Sequence, residues 1–201
     1  MKANVLCALV AVLTFLAGIG EAAEKGAVPD LVTRVCSACH GAHGASISPT
    51  FPNLAGQQIV YLETQLKAFR DHSRADPHAQ AFMWGMAAQL TDSGITEIAA
   101  YYASQPPASG KSAGSAEVAA GKKIFNDGIE AQQVPPCQSC HGAEANGNGP
   151  FPRLAGQHRN YLEKQLEAFA VNLRANEIMH QNSKNLTALQ ISQLAAYLSS
   201  R

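Results

Sequence analysis

The strongest constraint on this chain is a cysteine–histidine motif that it carries twice. C-x-x-C-H stands at Cys36–His40 and again at Cys137–His141. The sequence downstream of each motif also repeats: FPNLAGQ matches FPRLAGQ, and YLETQLKAF matches YLEKQLEAF. Internal repetition over this length is typical of two copies of one domain, so we predict a tandem duplication.

The sequence before and between the two copies sets their boundaries. One early lysine, an apolar run over 5–17 and small residues at Ala22 and Ala23 are typical of a secretory signal peptide, with an uncleaved N-terminal anchor as the alternative. Residues 104–116 are rich in Pro, Gly and Ser, as linkers are. We therefore predict a signal peptide over 1–23, a first domain over 24–104, a linker over 105–116 and a second domain over 117–201.

Hydrophobic spacing predicts helices in both copies. Leu62, Leu66 and Phe69 recur at i, i+4 and i+7, and the second copy repeats the stripe. Another apolar stripe of helical period closes each copy, at 95–102 and at 191–198. No segment alternates apolar and polar residues as a strand would. We therefore predict an all-α fold.

Composition limits the partners of the chain. Formal net charge is zero and charged residues make up 15% of the sequence. A nucleic-acid-binding surface needs an excess of basic residues, so we predict no nucleic-acid partner. Two units of roughly 80–90 residues are small for an apolar core alone, so each is expected to need a cross-link or a bound group.

The C-x-x-C-H motif predicts which group each unit binds. Cysteines at i and i+3 lie side by side on one helical turn, and the histidine at i+4 stands just beyond them. Two thiols so placed can bond to the vinyl groups of a haem while the histidine reaches its iron, and the motif is the attachment signal of c-type haem. We predict two covalently bound haem c groups, one per copy.

Three other interpretations of the cysteines remain open. A zinc site needs four ligands, so the two copies would have to pool theirs. A thioredoxin-like dithiol expects a βαβ context. A pair of small-loop disulfides is the usual interpretation of four cysteines in an exported chain.

Cytochromes c commonly use a methionine as the second ligand of the haem iron, and counting methionines narrows the candidates for it. The initiator methionine leaves with the signal, so Met179 is the candidate of the second copy. Met83 stands at the same distance from a matching leucine in the first copy, whereas Met86 has no counterpart. We predict Met83 and Met179, with Met86 as the alternative in the first copy. His78 and His180 lie close by but have no repeat partners.

Together these motifs resemble cytochrome c4, a family of two-haem bacterial electron-transfer proteins. The shared pattern is C-x-x-C-H, F-P-x-L-A-G-Q, Y-L-x-x-Q-L-x-A-F, a methionine and a closing A-A-Y helix, twice over nearly all of the chain after the signal. The resemblance implies two tandem class I cytochrome c domains that face each other, with one haem c each. Carried over by position, the haem-binding residues are Cys36, Cys39, His40 and Met83, then Cys137, Cys140, His141 and Met179. Of these, His40, Met83, His141 and Met179 would bind iron.

The resemblance also implies contacts around each haem. The carbonyls of Pro52 and Pro152 would accept a hydrogen bond from the second ring nitrogen of the axial histidines. Four further side chains would be either partners of the haem propionates or exposed helix surface: Gln57, Gln157, Arg74 and Arg174.

Filled axial positions predict the function. A haem iron held on both sides has no place for a substrate, so we predict an electron carrier rather than an enzyme. The resemblance implies a periplasmic protein, with peripheral association at the inner membrane as an option, that passes single electrons from respiratory donors to a terminal oxidase or similar acceptor. The alternatives are a dihaem oxidoreductase with one substrate-accessible haem and a redox subunit of a dehydrogenase.

The two copies differ in charge. Residues 24–105 carry five basic and seven acidic side chains, a net −2, whereas residues 106–201 carry nine basic and seven acidic, a net +2. Charge complementarity governs the rate of encounter between redox partners. We therefore predict that the two copies dock partners of different charge, with chance variation as the alternative.

Overall fold

The structure is a computed structural model that describes residues 30–110 and 115–201. The predicted signal peptide lies outside these ranges. Within them every regular element is helical, and the only extended pairings are the isolated bridges Ile129–Val134 and Asn148–Phe151. The prediction of an all-α fold is therefore confirmed.

The helices follow the repeat of the sequence. The first copy has a π-helical turn (Val32–Cys36) that runs into α1 (Ser37–His40), then α2 (Ile59–Arg70), a π-helical turn (Ala79–Met83) that runs into α3 (Trp84–Ala87), and α4 (Asp92–Ala103). The second copy has α5 (Ala116–Asp127), a 3₁₀ turn (Glu130–Gln132), α6 (Gln138–His141), α7 (Arg159–Ala170), α8 (Glu177–Ser183) and α9 (Ala188–Ser199).

Side-chain caps mark where helices α4, α5 and α9 begin. The hydroxyls of Thr91 and Ser115 accept hydrogen bonds from backbone N–H groups in the first turns of α4 and α5. Thr187 opens α9 with a full capping box, in which the Gln190 side chain accepts in return from the backbone of Thr187. The sequence therefore fixes these starts locally, before any tertiary contact.

Each copy has its own apolar core. Leu62 of α2 packs with Ile98 and Tyr102 of α4 in the first copy. Leu162 of α7 packs with Leu194 of α9 in the second. The stripes predicted from spacing are thus the faces that the helices bury, and in each copy the closing helix gives more buried side chains to the core than any other helix.

The predicted linker lies between α4 and α5. In its described part, Gly110 donates its N–H to the carbonyl of Arg201, 2.7 Å away, so the linker is held against the end of the second copy. Within residues 30–110 and 115–201 no helix has the length and apolar character needed to cross a membrane.

Helices α5 and α9 touch at Gly121. A Cβ atom at this position would overlap the carbonyl oxygen of Gln193 and lie 2.9 Å from the Tyr197 Cβ. We expect Gly121→Ala to push the helices apart and to lower the free energy of unfolding by about 1–3 kcal/mol, measured by chemical denaturation. Ala119→Ser, on the exposed side of α5, is the control and should change it by less than about 0.5 kcal/mol. An equal effect of both substitutions would contradict the close crossing.

Candidate functional site

The two C-x-x-C-H motifs form matching short helices, each ending in a buried histidine. His40 and His141 are the last residues of α1 and α6, and both are 7% exposed. His40 Nδ1 lies 2.9 Å from the carbonyl oxygen of Pro52, and His141 Nδ1 lies 3.0 Å from that of Pro152. The proline contacts expected from the family resemblance are thus present in both copies.

These contacts decide what each imidazole can do. Because Nδ1 donates to a carbonyl, the remaining nitrogen, Nε2, keeps a free lone pair. Burial lowers the pKa of both histidines, although the hydrogen bonds to Pro52 and Pro152 oppose that effect. Each ring is therefore neutral and held in the tautomer that a metal-binding imidazole needs.

The four cysteines of the described residues carry free thiols. Burial raises the pKa of the Cys36 thiol, and it raises the pKa of Cys137 to about 11. A redox dithiol works through a thiolate of lowered pKa, so these two thiols do not have the electrostatics of the thioredoxin-like alternative. No group of three or more His, Cys, Asp or Glu side chains in the described part of the chain is arranged to hold a metal ion.

The methionines differ in burial. Met83 is half-buried at the end of its π-helical turn and packs against Phe69, Ala79 and Ala87. Met86 is 57% exposed. Met179 is half-buried on α8, and its N–H binds the side chain of Asn176, which caps that helix. This difference is the one expected if Met83 and Met179, rather than Met86, face the bound group.

The donors of each copy fit a covalent haem. Each copy combines two unpaired thiols, a neutral imidazole with one free nitrogen, and a half-buried thioether. Thiols for thioether bonds, with histidine and methionine as axial ligands, are the donor set of cytochromes c. Phe51 and Phe151 also meet the edges of the two histidine rings, at centroid distances of 6.1 and 6.3 Å.

Two glutamines join the copies in a reciprocal contact. Gln57 accepts from the N–H of Arg153 and donates to its carbonyl, at 2.7 and 3.0 Å. Gln157 does the same with Asn53, at 2.8 and 2.9 Å. Both glutamines are buried, so the helix-surface alternative is wrong for them.

Two arginines form a second reciprocal contact beside the first. Arg74 donates to Gln165 across the interface at 2.8 Å, and Arg174 donates to Gln65 at 2.7 Å. Both guanidinium groups are buried over the rings of Phe69 and Phe169, so exposed helix surface is again wrong. We did not predict this interface from the sequence. The signal that could have indicated it is the repetition of Gln and Arg at matching positions, because a two-fold contact uses each residue twice.

The arginine cluster is not symmetric in charge. Arg74 forms an ion pair with Asp76, 2.9 Å away, and Asp76 is 1% exposed. The matching position in the second copy is Asn176, which is the cap of α8. The carboxylate is therefore present at this position in the first copy and absent from it in the second.

Asp76 makes stability depend on pH. Burial alone would raise the pKa of this carboxyl, but Arg74 beside it holds the pKa below its ordinary value. Its stabilising contribution is therefore complete above the unfolded pKa of about 3.9 and is lost as the pH falls through the lower folded pKa. We expect the free energy of unfolding of Asp76→Asn to lie below wild type at pH 7, with a gap that narrows as the pH falls below about 4. Denaturation series from pH 7 to 3 would contradict this if the gap stayed constant.

Comparison with known proteins agrees with this architecture. The family model for cytochrome c matches the chain twice, over residues 24–105 and 118–201. Cytochrome c-552 of Acidithiobacillus ferridurans is 44% identical over 200 residues, covering 96% of this chain and 86% of the relative. Cytochrome c4 of Pseudomonas aeruginosa is 36% identical over 192 residues, covering 91% and 92%. A thiosulfate dehydrogenase electron acceptor of Thiomonas intermedia is 34% identical over 200 residues, covering 96% and 89%.

Solved structures show the same relationship. Cytochrome c4 of Acidithiobacillus ferrooxidans superposes with a TM-score of 0.79 at 45% identity, covering 83% of this chain and 98% of that one. Thiosulfate dehydrogenase TsdBA of Marichromatium purpuratum superposes with a TM-score of 0.77 at 32% identity, covering 87% of this chain but 39% of that one.

The fold and the two sites define a class, in which two cytochrome c domains stand in tandem with one covalent haem c each. The chain belongs to the cytochrome c4 family. The predictions of the fold class, of two haem c groups and of an electron carrier rather than an enzyme are thereby confirmed.

Proposed function

We propose that this dihaem electron carrier works in the periplasm and passes single electrons towards a terminal oxidase. The observation that carries the proposal is the matched pair of buried histidines, each tied through Nδ1 to a proline carbonyl and each accompanied by a half-buried methionine. Two filled axial positions leave no open site for substrate. Electron transfer then requires only that a partner approach the protein surface.

The residues that hold the two groups are part of this proposal. Cys36 and Cys39 attach the first haem, with His40 and Met83 on its iron. Cys137 and Cys140 attach the second, with His141 and Met179 on its iron. When bound, each haem supplies one-electron chemistry at iron, and a methionine ligand raises its reduction potential.

The protein's own residues prepare these sites. Pro52 and Pro152 fix the orientation of the imidazoles, so the ligand geometry needs little rearrangement when charge changes. Phe69 and Ala79 hold the Met83 side chain in a packed apolar cluster. Asn176 fixes the first turn of the helix that carries Met179.

Export and the domain limits also belong to the proposal. A signal peptide over 1–23 would deliver the chain to the compartment in which c-type haems function. Domains over 24–104 and 117–201, with a linker over 105–116, agree with the positions of α4 and α5 on either side of that linker. Peripheral association with the inner membrane would bring the carrier close to its acceptor.

Surface charge is the proposed means of docking. Lys122 and Lys123 lie exposed on α5 in the copy with the positive balance. Arg153 is a poorer docking cation, because its guanidinium donates to Asn146 and its backbone takes part in the contact with Gln57. An acidic partner surface would therefore meet α5 rather than Arg153.

A second candidate concerns the electron donor. Relatives of similar length are named as electron acceptors of thiosulfate dehydrogenase, and a thiosulfate dehydrogenase structure contains a matching portion. We propose that this chain accepts electrons from a dehydrogenase of that kind before it delivers them onwards. Both candidates make the chain an electron carrier. The first names its electron acceptor, the second names its electron donor, and each transfer can be measured separately.

One set of experiments tests both candidates. Protein matured in cells that make c-type haems should show two haems per chain by intact mass and two one-electron steps in a redox titration. Reduced protein mixed with oxidase-containing membranes should be reoxidised. The rate of reoxidation should fall as salt is added, and it should be lower in the double variant Lys122→Gln/Lys123→Gln than in wild type. Thiosulfate with its dehydrogenase should reduce the oxidised protein if the second candidate holds. Peroxide turnover or a high-spin haem would contradict the carrier.

A further inference from the structure

The two copies differ at one buried position that faces the attachment site. Tyr102 of α4 and Leu198 of α9 are equivalent, since the carbonyl of Tyr102 accepts from Gly56 at 2.9 Å and that of Leu198 accepts from Gly156 at 3.0 Å. Both side chains are buried in the cores of their copies. The first copy therefore places a phenol where the second has a purely apolar side chain.

A second exchange accompanies the first. Gly44 of the first copy matches Ala145 of the second, because both carbonyls accept from the N–H groups that follow the P-x-L segment. A Cβ at Gly44 would lie 2.7 Å from Cδ1 of the Tyr102 ring. The first copy thus pairs glycine with tyrosine, and the second pairs alanine with leucine. In each pair the larger side chain stands beside the smaller partner, so the two positions differ between the copies together.

The phenol hydroxyl has no oxygen or nitrogen partner among the described residues. Tyr102 is 1% exposed, so water does not supply one either. Its polar neighbour is the Cys36 thiol, whose proximity adds to the burial that raises the pKa of Tyr102. A buried hydroxyl needs an acceptor, so the Cys36 sulfur that it faces is expected to accept its hydrogen.

We propose that Tyr102 is a tuning residue that raises the reduction potential of the first haem above the value it would have without this hydroxyl. This rests on the proposed attachment of that haem through Cys36. A cysteine sulfur bound as a thioether has no hydrogen and can only accept, so the hydroxyl of Tyr102 would donate towards it. The positive end of the O–H dipole then stabilises an added electron. Leu198 offers the second copy no such donor.

The test is the potential of each haem in matched variants. Tyr102→Phe should lower the electron affinity of the first haem about fivefold, roughly 40 mV for one electron, and leave the second unchanged. The two haems are assigned in an NMR-monitored titration by the methyl signals of Met83 and Met179. Tyr101→Phe is the control, because that hydroxyl binds the carbonyl of Ala42 at the surface. It should change neither potential.

A paired exchange separates tuning from packing. Gly44→Ala alone should destabilise the first copy by overlap with the ring and with the backbone nitrogen of Ala55, and Tyr102→Leu alone should leave a cavity. The double variant Gly44→Ala/Tyr102→Leu reproduces the pair of the second copy and should recover the part of the stability lost to the ring overlap and the cavity, yet keep the lowered first potential. An unchanged first potential in Tyr102→Phe, or an equal shift at both haems, would overturn the proposal. A chain with fewer than two haems by mass would contradict the proposed attachment sites instead.

Discussion

Met83→Ala is expected to abolish about half of the far-red absorption that methionine sulfur gives when it is bound to ferric haem iron. Met179→Ala should remove the other half, and the double variant should remove all of it. The reason is that each copy has one half-buried methionine at the position that the repeat matches, Met83 and Met179, which we propose as the ligands. The absorption of the oxidised protein, normalised to haem content, measures the effect directly.

Met86→Ala is the matched control for this prediction. Met86 lies three residues further along the same segment and is largely exposed, so its loss should leave the band at full intensity. The first-copy assignment fails if Met86→Ala removes half of the band and Met83→Ala does not. Loss of either true ligand should also lower the reduction potential of that haem, because a thioether ligand favours the ferrous state.

Arg74→Ala is expected to lower the free energy of unfolding by about 3–5 kcal/mol, because it leaves the Asp76 carboxylate buried without its cation. It also removes the guanidinium from the face of the Phe69 ring, where its centre lies 4.7 Å from the ring centroid. Chemical denaturation of the haem-loaded chain at pH 7 measures the loss. Adding Asp76→Asn to Arg74→Ala should recover much of it.

Arg174→Ala is the control across the interface. Arg174 donates to Tyr61, Gln65 and Gln165 but has Asn176 where Arg74 has a carboxylate. Its removal leaves acceptors without donors, while Asp76 keeps its ion pair with Arg74, so we expect a smaller loss of about 1–3 kcal/mol. Equal losses for the two arginines, or no recovery with Asp76→Asn, would show that the ion pair is not the cause.

The sequence predicted what depends on local pattern. Helical periodicity identified the faces of α2 and α4 that become buried, and the repeat itself gave the duplication. The C-x-x-C-H motif specified the cofactor because its spacing is a covalent requirement. The choice of Met83 over Met86 came from comparing the two copies, and the difference in burial agrees with it.

The sequence did not predict what depends on how the copies meet. Arg74 and Gln57 carry no local sign that they will be buried, since arginine and glutamine are usually on the surface. Their environment is decided by contacts with residues about a hundred positions away, such as Gln165 and Arg153. The role of Tyr102 was hidden for the same reason, since only the fold reveals that Gly44 makes room for its ring.

The reciprocal glutamine contact has an evolutionary consequence. A surface in which Gln57 meets the second FPxLAGQ segment while Gln157 meets the first has the self-complementary form of a homodimer interface. A one-domain ancestor could associate with its own copy through the same bonds. Joining two such genes holds the copies at high local concentration, so association no longer depends on protein abundance. Each copy was then free to acquire residues of its own, and Asp76 and Tyr102 are differences of the kind that such freedom allows.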